Sequence, residues 1–497
     1  MDERIVIVGA GMAGLCTAIA LSGQERRITV VERDPPPPEG GVEPAFETWS
    51  RRGATQLRHS HAFLARLRSL IAREHPALLD ALRGCGAREL SFAQGLPDTL
   101  RGQYRALSED DELAILISRR TTLEVVIRRY VEALPGVDLR SSRRVTALAS
   151  ERDAENRLVA RGVVVEGETL EADIVVDAAG RLSPFAEWLG EAGAPPVEES
   201  ESCAILYYTR FYRLLPGRSE PPRGSSPSTG DLGYLKFAVF PADNETFSIT
   251  LAVPEVEEGL RVAVMRPKTF DAICALLPGL AAWTDTERST PQSRVMAMGA
   301  LESRWREMVP GDAPVALNLF SVGDSLVRTN PLFGRGCSFA AVEAFILRDV
   351  LAEGADPARR ARLYSQRVRA ELRPFYEEMA SQDRSAARRA RQGLDPAYKA
   401  PWRSRLMRRF LQDGLAIAVR RDIELYRQAS RAFHMLAPPR GWVSRPRTLL
   451  KALVSLTRGR RANAAFYPAR AGPSRREMFS ALGIPHLADL ERLRAGA

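Results

Sequence analysis

The feature that most constrains the fold of this chain lies in residues 5 to 34, which read I-V-I-V-G-A-G-M-A-G-L-C-T-A-I-A-L-S-G-Q-E-R-R-I-T-V-V-E-R-D. The apolar run from Ile5 to Val8 suits a strand that is buried on both faces of a parallel sheet. Gly9 permits a tight turn, Gly11 lets the backbone approach a phosphate, and Gly14 lets the following helix pack close to the strand. The stretch therefore predicts a strand, a glycine turn, a helix and a second strand.

The end of the second strand and the start of the helix indicate what this unit binds. A helix start offers free N–H groups and the positive end of the helix dipole, which together favour a phosphate. Glu32 ends the second strand at the usual distance for an acid that accepts hydrogen bonds from a ribose. The unit is therefore predicted to be a Rossmann-type site for a dinucleotide, formed by Gly9, Gly11, Met12, Ala13, Gly14, Glu32 and Arg33.

Composition excludes several classes of protein. A chain of 497 residues, 45% of them apolar and 27% charged, is typical of a globular protein with about two or three domains. No apolar run is long enough to span a bilayer, and the early first strand leads us to expect no signal peptide. The five scattered cysteines predict neither zinc nor disulfides, and they favour a cytoplasmic protein. The net charge of +10 comes almost wholly from arginine, without the aromatic-interleaved basic patch of a nucleic-acid-binding protein.

Periodicity along the chain predicts three regions. Residues 61–83 form an amphipathic helix interrupted at Pro76, residues 121–134 form a second helix, and the apolar stretch 173–178 is expected to rejoin the central sheet. Between about Pro195 and Arg304 the segments 204–215, 234–240 and 247–253 are rich in β-formers, and residues 216–230 are expected to form a mobile linker. A strand is predicted at 315–322, a long helix near Cys337, and helices beyond Gly354. The predicted domains are 1–194 with 305–355, a β-rich substrate domain 195–304, and a C-terminal helical region 356–497.

Two later segments resemble the rest of a flavin site. The first is A-D-I-V-V-D-A-A-G-R-L-S at 172–183, and the second is F-S-V-G-D-S-L-V-R-T-N-P-L-F-G-R-G-C-S-F-A-A at 320–341. With the N-terminal unit, in this order and at these separations, they resemble the group A FAD-dependent monooxygenases. That superfamily includes para-hydroxybenzoate hydroxylase, squalene epoxidase and the flavin-dependent halogenases. The D-A-A-G-R form of the middle motif is similar to that of the halogenases and the polyketide epoxidases.

The resemblance implies FAD as the cofactor and a role for each matching residue. Asp324 would contact the ribityl chain, Pro331 and the helix start at Gly336 would lie against the isoalloxazine, and Arg119 would reach the pyrophosphate. The residues implied in this way are Arg119, Ala179, Gly180, Gly323, Asp324, Pro331, Gly334, Gly336 and Cys337. The middle motif lacks the aspartate of the common A-D-G form, so NADPH or NADH would reduce the flavin either directly or through a separate flavin reductase.

A histidine-containing segment, Q-L-R-H-S-H at 56–61, precedes the first amphipathic helix. The epoxidase-like relatives have a similar stretch here, and in that fold it reaches the flavin. The resemblance therefore implies that Arg58 binds the cofactor and that one of the two histidines, His59 or His61, lies at the reaction face; Pro331, against the isoalloxazine, is the third catalytic candidate. Helix capping or an ordered buried imidazole explains the two histidines equally well.

The resemblance implies a reaction in which reduced flavin adds dioxygen at C4a and the resulting hydroperoxide oxygenates an electron-rich substrate. The apolar and aromatic β-block suits a lipophilic substrate, and we expect a polyketide or terpenoid-like secondary metabolite that is epoxidised or hydroxylated. Halogenation is disfavoured because no lysine precedes Lys236 and the W-x-W-x-I-P segment is missing. A reductase of the geranylgeranyl reductase type shares the same motifs and stays open, as does a non-catalytic FAD-bound partner protein.

Two C-terminal segments, 406–415 and 449–456, are amphipathic and flanked by arginines. Basic amphipathic helices can lie on an anionic membrane surface. Packing over the other domains is the favoured interpretation, and peripheral contact with a membrane is the alternative.

Overall fold

The computed structural model describes residues 3–23, 25–222, 227–354, 356–395, 397–485 and 491. The middle of the predicted mobile linker, residues 223–226, and His486 lie outside the described residues. Among the described helices none is long and apolar enough to cross a membrane.

The described strands are, in chain order, β1 Glu3–Val8, β2 Arg26–Val31, β3 Arg88–Leu90, β4 Ile115–Ile117, β5 Val137–Arg140, β6 Val145–Arg152, β7 Leu158–Val165, β8 Glu168–Glu171, β9 Ile174–Asp177, β10 Val197–Ser202, β11 Ile205–Leu214, β12 Thr229–Asp231, β13 Lys236–Pro241, β14 Thr246–Pro254, β15 Ser289–Pro291, β16 Met296–Met298, β17 Glu302–Glu307, β18 Leu319–Ser321 and β19 Val327–Arg328.

The described α-helices are α1 Met12–Leu21, α2 Val42–Thr48, α3 Ala65–Glu74, α4 Pro76–Gly84, α5 Asp98–Arg101, α6 Arg120–Glu132, α7 Phe185–Glu191, α8 Glu258–Val264, α9 Pro267–Leu276, α10 Pro278–Ala281, α11 Gly336–Ala352, α12 Pro357–Leu394, α13 Trp402–Arg409, α14 Ala416–Arg421, α15 Ile423–Phe433, α16 Pro446–Ala462 and α17 Arg475–Leu482. A π-helical segment, Phe410–Leu415, joins α13 to α14.

A parallel sheet forms the centre of the N-terminal half, with strand order β18-β9-β1-β2-β5. Its strands are apolar because both faces are covered: Ile5 and Ile7 contribute to the core on the α1 side, while Val6 and Val8 contribute to the core on the other. Helix α1 is buried along its whole length and packs between the sheet and α11. The predicted Rossmann unit is confirmed, and so is the return of residues 173–178 to the central sheet, as β9.

An antiparallel sheet in the order β12-β13-β14-β11-β15, with β16 also paired to β11, follows in the middle of the chain. One face of this sheet is covered by α8, α9 and α10, whose residues Leu260, Phe270 and Leu280 share its core. Sequence analysis predicted only strands here and missed these three helices, because their apolar spacing is short and interrupted by prolines. A three-stranded sheet, β10-β17-β19, connects this region to the parallel sheet.

Two sequence expectations need correction. The strand predicted at 315–322 is limited to β18, because Asn318 adopts a positive φ of 59° that interrupts regular pairing. The last residues of the predicted linker are not linker but the edge strand β12. The helix predicted at 61–83 is divided as expected, with Pro76 as the first residue of α4.

The C-terminal region is helical, and part of it packs over the rest of the chain. Helix α15 contacts a cluster around Phe92 and Leu113, where Arg427 pairs with Asp110 at 2.7 Å. The mixed α/β class is confirmed: a parallel Rossmann-like core, antiparallel sheets and C-terminal helices. The division into three domains with the boundaries given above stays a prediction.

Candidate functional site

A cavity of about 1180 Å³ runs from the carboxyl ends of the central parallel strands to the antiparallel sheet. Strands β1, β9 and β18 are adjacent, so the loops that follow them meet at one edge of the sheet. This edge, outside the carboxyl ends of the strands, is where open α/β sheets bind ligands. Three motifs that are far apart in the sequence therefore line a single cavity.

The first motif forms a cradle for a phosphate. A Cβ at Gly9 would stand 2.5 Å from the carbonyl oxygen of Ala178, and one at Gly14 only 1.8 Å from the carbonyl oxygen of Gly9. Both glycines are thus required for close backbone packing. A Cβ at Gly11, in contrast, would meet nothing within 4 Å. Gly11 borders the open space of the cavity, beside Met12 and Ala13 at the uncapped start of α1, and this geometry fits a bound pyrophosphate.

Glu32 lies in the wall beside this cradle, and a network already holds its carboxylate. It accepts hydrogen bonds from the backbone N–H of Ala10 at 2.8 Å, from that of Asp34 at 2.9 Å and from Arg51 at 2.7 Å. Arg51 is buried and also reaches Asp34 and Glu124. A carboxylate offers about four lone-pair sites, so Glu32 is oriented by the protein and keeps acceptor capacity for a ribose hydroxyl.

Asp324 follows β18 and contributes an acceptor without a protein donor. No hydrogen bond from a described residue reaches its carboxylate oxygens, although the group lines the cavity. Burial raises the pKa of Asp324, against the opposing effect of Arg328 and Arg120. Asp324 is half-buried; a carboxylate withdrawn from water without donors is costly, and the hydroxyl groups of a ribityl chain are suitable donors. The residues present therefore fit FAD at both the pyrophosphate and the polyol.

The loop before α11 is held from three sides through Asn330. Its buried side chain accepts a hydrogen bond from the backbone N–H of Leu332 at 3.1 Å and another from the hydroxyl of Tyr207, and it donates to Asp383 at 2.8 Å. Gly334 has a φ of 64°, and a Cβ there would stand 3.1 Å from the carbonyl oxygen of Ala62. The loop is thereby fixed so that the residues Pro331, Gly334, Gly336 and Cys337 line the cavity.

His59 and His61 both line the cavity. Burial lowers the pKa of His59 to about 4, and burial together with nearby Arg120 lowers the pKa of His61 to about 3, so both imidazoles are neutral at pH 7. Nδ1 of His61 donates to the carbonyl oxygen of His59 at 2.9 Å, which leaves Nε2 as an acceptor. His59 Nδ1 lies 3.1 Å from the hydroxyl of Thr209, which contacts Thr250 at 2.8 Å.

Three of the residues predicted to bind the cofactor do not line the cavity. The guanidinium of Arg58 donates to the carbonyl oxygens of Phe46, Glu47 and Trp49, so it braces the preceding helix. Arg119 is buried against Asp243 and Glu43 and ties the start of α6 to the antiparallel sheet. Gly14 lies behind the cavity wall, where it permits close packing. Other predicted residues, by contrast, do line it: Gly9, Gly11, Met12, Ala13, Glu32, Arg33, Ala179, Gly180, Gly323 and Asp324.

Several arginines of the cavity wall were not predicted from the sequence, among them Arg51 and Arg120. Arg120, adjacent to Arg119, points into the cavity and donates to Cys337 Sγ at 2.8 Å and to Glu124 at 2.6 Å. Consecutive residues at a helix start point in directions about 100° apart, so the motif S-R-R-T alone does not tell which arginine faces the ligand. Arg51 had no sequence signal beyond its position in a polar loop.

The far part of the cavity is apolar. It is lined mainly by Ala238, Phe240, Ala252, Met298 and Leu301 of the antiparallel sheet and its surroundings, and by Phe433 of α15, with Thr209, Lys236 and Thr250 as polar members of the same wall. Phe237 and Val239 border the cavity but belong to the core on the other face of the sheet. Among the aromatic residues of the β-block, Tyr207 lines the cavity, and Phe237 borders it while belonging to the core of the sheet. Tyr208, Tyr212, Tyr234 and Phe247 belong to the core between the sheet and its helices.

Comparison with known proteins identifies the family. The family model described as FAD dependent oxidoreductase matches residues 4–289, more than half of the chain. Protein Rv3254 of Mycobacterium tuberculosis is 28% identical over 372 residues, which cover 70% of this chain and 73% of that protein.

Two solved structures share the fold. PqsL, a probable FAD-dependent monooxygenase from Pseudomonas aeruginosa, has a TM-score of 0.55 at 18% identity over 78% of this chain and 98% of its own. The flavin-dependent brominase Bmp2 has a TM-score of 0.59 at 15% identity over 92% of this chain and 100% of its own. These likenesses confirm the fold that the sequence resemblance implied.

Proposed function

The chain belongs to the family of FAD-dependent oxidoreductases, and from that premise we propose that it is a monooxygenase that epoxidises or hydroxylates a lipophilic small molecule, with dioxygen as co-substrate. Polyketide- or terpenoid-like secondary metabolites are the substrate class that we propose. The observation that supports this most is that one cavity joins the dinucleotide cradle to a second chamber, lined largely by apolar side chains of the antiparallel sheet and its surroundings.

The size of the cavity supports two ligands. Small-molecule sites commonly measure roughly 300–1,000 Å³, and this cavity measures about 1180 Å³. One end has the polar and glycine-rich lining that fits FAD, and the other has Phe240, Met298 and Leu301. An apolar substrate in the second part would stand directly against the loop 331–336.

FAD, when bound and reduced, would activate dioxygen, and dioxygen supplies the oxygen atom that is transferred. The residues of the chain position the substrate, stabilise negative charge on the cofactor and exclude water. Backbone N–H groups at the start of α11 lie where they can stabilise negative charge on the cofactor. The neutral ring of His61 presents Nε2 as a proton acceptor at the cavity wall without adding a positive charge. The apolar side chains of the chamber limit water around the reacting oxygen.

The electron donor is proposed to be NADPH or NADH, acting directly or through a separate flavin reductase. Asp177, the acid of the middle motif, accepts hydrogen bonds from Ser183 at 2.7 Å and Ser325 at 3.0 Å. This carboxylate therefore ties the loops after β9 and β18 together, and it is not available to a nicotinamide nucleotide.

The test uses the FAD-loaded protein, isotopically labelled dioxygen and a panel of terpenoid and polyketide alkenes and phenols. Reduction is attempted with NADPH, with NADH, and with either one plus an added flavin reductase. Label in the product supports the monooxygenase. A reduced product without label supports the reductase alternative, and absence of any turnover across the panel supports a non-catalytic FAD-bound protein.

A cavity-filling variant links the reaction to the apolar chamber. Ala238 lines the cavity on β13, and Ala238→Phe is expected to reduce oxygenation at least about tenfold while FAD content is unchanged. The matched control is Val262→Phe, at an exposed position on α8, which should change neither.

A further inference from the structure

The outermost C-terminal helices carry an exposed apolar face. We define the C-terminal apolar face as Trp402, Leu406, Met407 and Leu411 of α13 and the π-helical segment, together with Leu449, Leu450, Leu453 and Val454 of α16. Trp402 and Leu450 are each 63% exposed, more than any other large apolar side chain among the described residues. Single exposed apolar residues are ordinary, but a cluster marks a site of interaction.

Helix periodicity explains why the face points outward. In α16 the inward positions are Thr448, Ala452 and Ser455, which are buried. Residues at i, i+1, i+4 and i+5 form a stripe on a helix, and Leu449, Leu450, Leu453 and Val454 have this spacing on the side turned away from Ala452. The small buried residues are those that contact the remainder of the region, where Ala452 packs with Ala418 and Leu425.

The two helices of the face are neighbours. A Cβ at Gly414, in the π-helical segment that continues α13, would stand 3.0 Å from the carbonyl oxygen of Ala452 in α16. Arg460 of α16 also pairs with Asp413 of the same segment at 3.1 Å. The residues of the apolar face therefore belong to one packed pair of helices.

Charge identifies the kind of partner. Neither α13 nor α16 contains an acidic residue, and together they contain nine basic ones. All nine are exposed, and they are Arg403, Arg405, Arg408, Arg409, Arg447, Lys451, Arg458, Arg460 and Arg461. Among the described residues only Lys451 and Arg460 of these nine have a carboxylate partner. Apolar residues beside unpaired arginines complement an interface of acyl chains and anionic headgroups.

We propose that the C-terminal apolar face docks on an anionic lipid bilayer and holds the protein at the membrane surface. The sequence analysis favoured packing of this region over the other domains. Packing over the rest of the chain applies to α15. Helices α13 and α16 present their apolar side chains outward, which supports contact with a membrane. Phe433 of α15 lines the cavity and is half exposed, and Leu425 of the same helix packs against Ala452 of α16, so the docking helices adjoin a helix of the cavity wall.

The experiment is co-sedimentation of the full-length, FAD-loaded protein with vesicles of phosphatidylcholine alone or with added phosphatidylglycerol. Binding to the anionic vesicles only, weakened by salt, is expected. The double variant Leu406→Ser/Leu450→Ser should lower the partition coefficient at least about tenfold. The matched control is Val262→Ser/Met265→Ser, at two exposed positions in and after α8, which should bind as the unaltered protein does.

Several results would overturn the proposal. These are absence of sedimentation with anionic vesicles, equal sedimentation with neutral ones, or an unchanged partition coefficient in the double variant. Analytical ultracentrifugation without vesicles tests whether the face binds a second copy of the chain instead. A dimer that disappears in the double variant would assign the face to dimerisation. FAD content and turnover in detergent-free solution are measured on the same samples, because the face lies outside the cavity and both should be unchanged. Failure of the proposed monooxygenase activity would thus be distinguishable from failure of docking.

Discussion

Gly11→Val separates folding of the dinucleotide cradle from its function. Gly11 has φ −81° and ψ −173°, which any residue adopts, and a Cβ there would meet nothing within 4 Å. We therefore expect the cofactor-free variant to fold with a free energy of unfolding within about 0.5 kcal/mol of the unaltered protein. The space that the isopropyl group occupies is the space that the pyrophosphate needs.

The expected loss of FAD affinity follows from the hydrogen bonds at stake. If the side chain keeps the phosphates from the N–H groups of Met12 and Ala13, two hydrogen bonds to a charged group are lost, each worth about 1.5–3 kcal/mol. The dissociation constant should rise at least about a hundredfold. FAD at about 100 times its dissociation constant stabilises the unaltered protein by about 2.7 kcal/mol, and this gain should disappear in the variant.

The assay combines urea unfolding, with and without FAD, and the flavin released on denaturation. The control is Gly102→Val, which also has a negative φ and open surroundings but lies away from the cavity, and it should bind FAD normally. A Gly11→Val protein that retains FAD at the unaltered ratio would refute the placement of the pyrophosphate. A variant that fails to fold without FAD would refute the argument from open space.

Three further perturbations test other parts of the structure. Asp324→Ala should weaken FAD binding about ten- to a hundredfold by loss of a charged hydrogen bond worth about 1.5–3 kcal/mol, and unchanged affinity in a fluorescence titration would exclude a cofactor contact. Asp243→Ala should cost about 3–5 kcal/mol in urea unfolding, because it removes the fully buried partner of Arg119; a cost under about 1 kcal/mol would show that the pair is dispensable. Burial lowers the pKa of His59 to about 4, so between about pH 4 and 6.5 the unfolded chain binds a proton that the folded chain does not. The contribution of this group to the free energy of unfolding should be constant above about pH 6.5 and fall by about 3 kcal/mol as the pH is lowered to 4. In His59→Gln the free energy of unfolding should fall less steeply below pH 6.5. Equal pH dependence of the free energy of unfolding in the variant and the unaltered protein would contradict the argument.

Pairing across the central sheet explains why the cofactor site was largely predictable. The loops at Gly9, Ala178 and Gly323 follow β1, β9 and β18, and adjacent parallel strands bring their carboxyl ends to one edge. A glycine turn, a buried strand and a helix start are local features, and each is visible in the sequence. That the glycine turn, Asp324 and the loop from Pro331 to Gly336 line one cavity could therefore be predicted from the sequence; their contacts with FAD stay a prediction.

The directions of side chains, and the ion pairs between residues far apart in the chain, could not be predicted from the sequence. Arg119 and Arg120 are neighbours in the sequence, yet one pairs with Asp243 of the antiparallel sheet and the other lines the cavity. The choice depends on the phase of α6 and on a carboxylate 124 residues away. Arg58 is predicted to bind the cofactor from the resemblance of the segment 56–61 to the epoxidase-like relatives. In the folded chain three backbone carbonyls surround its guanidinium instead.

The sequence by itself determined the Rossmann unit, the family and most of the residues that meet at the cofactor end of the cavity, because glycine geometry and strand order are local and periodic. Only the tertiary structure decided how the apolar chamber is enclosed, which arginines reach the cavity, and which C-terminal helices are buried. Amphipathic patterns are the same for a helix that packs on a protein core and for one that faces a lipid surface. The difference lies in what the rest of the chain places against each face.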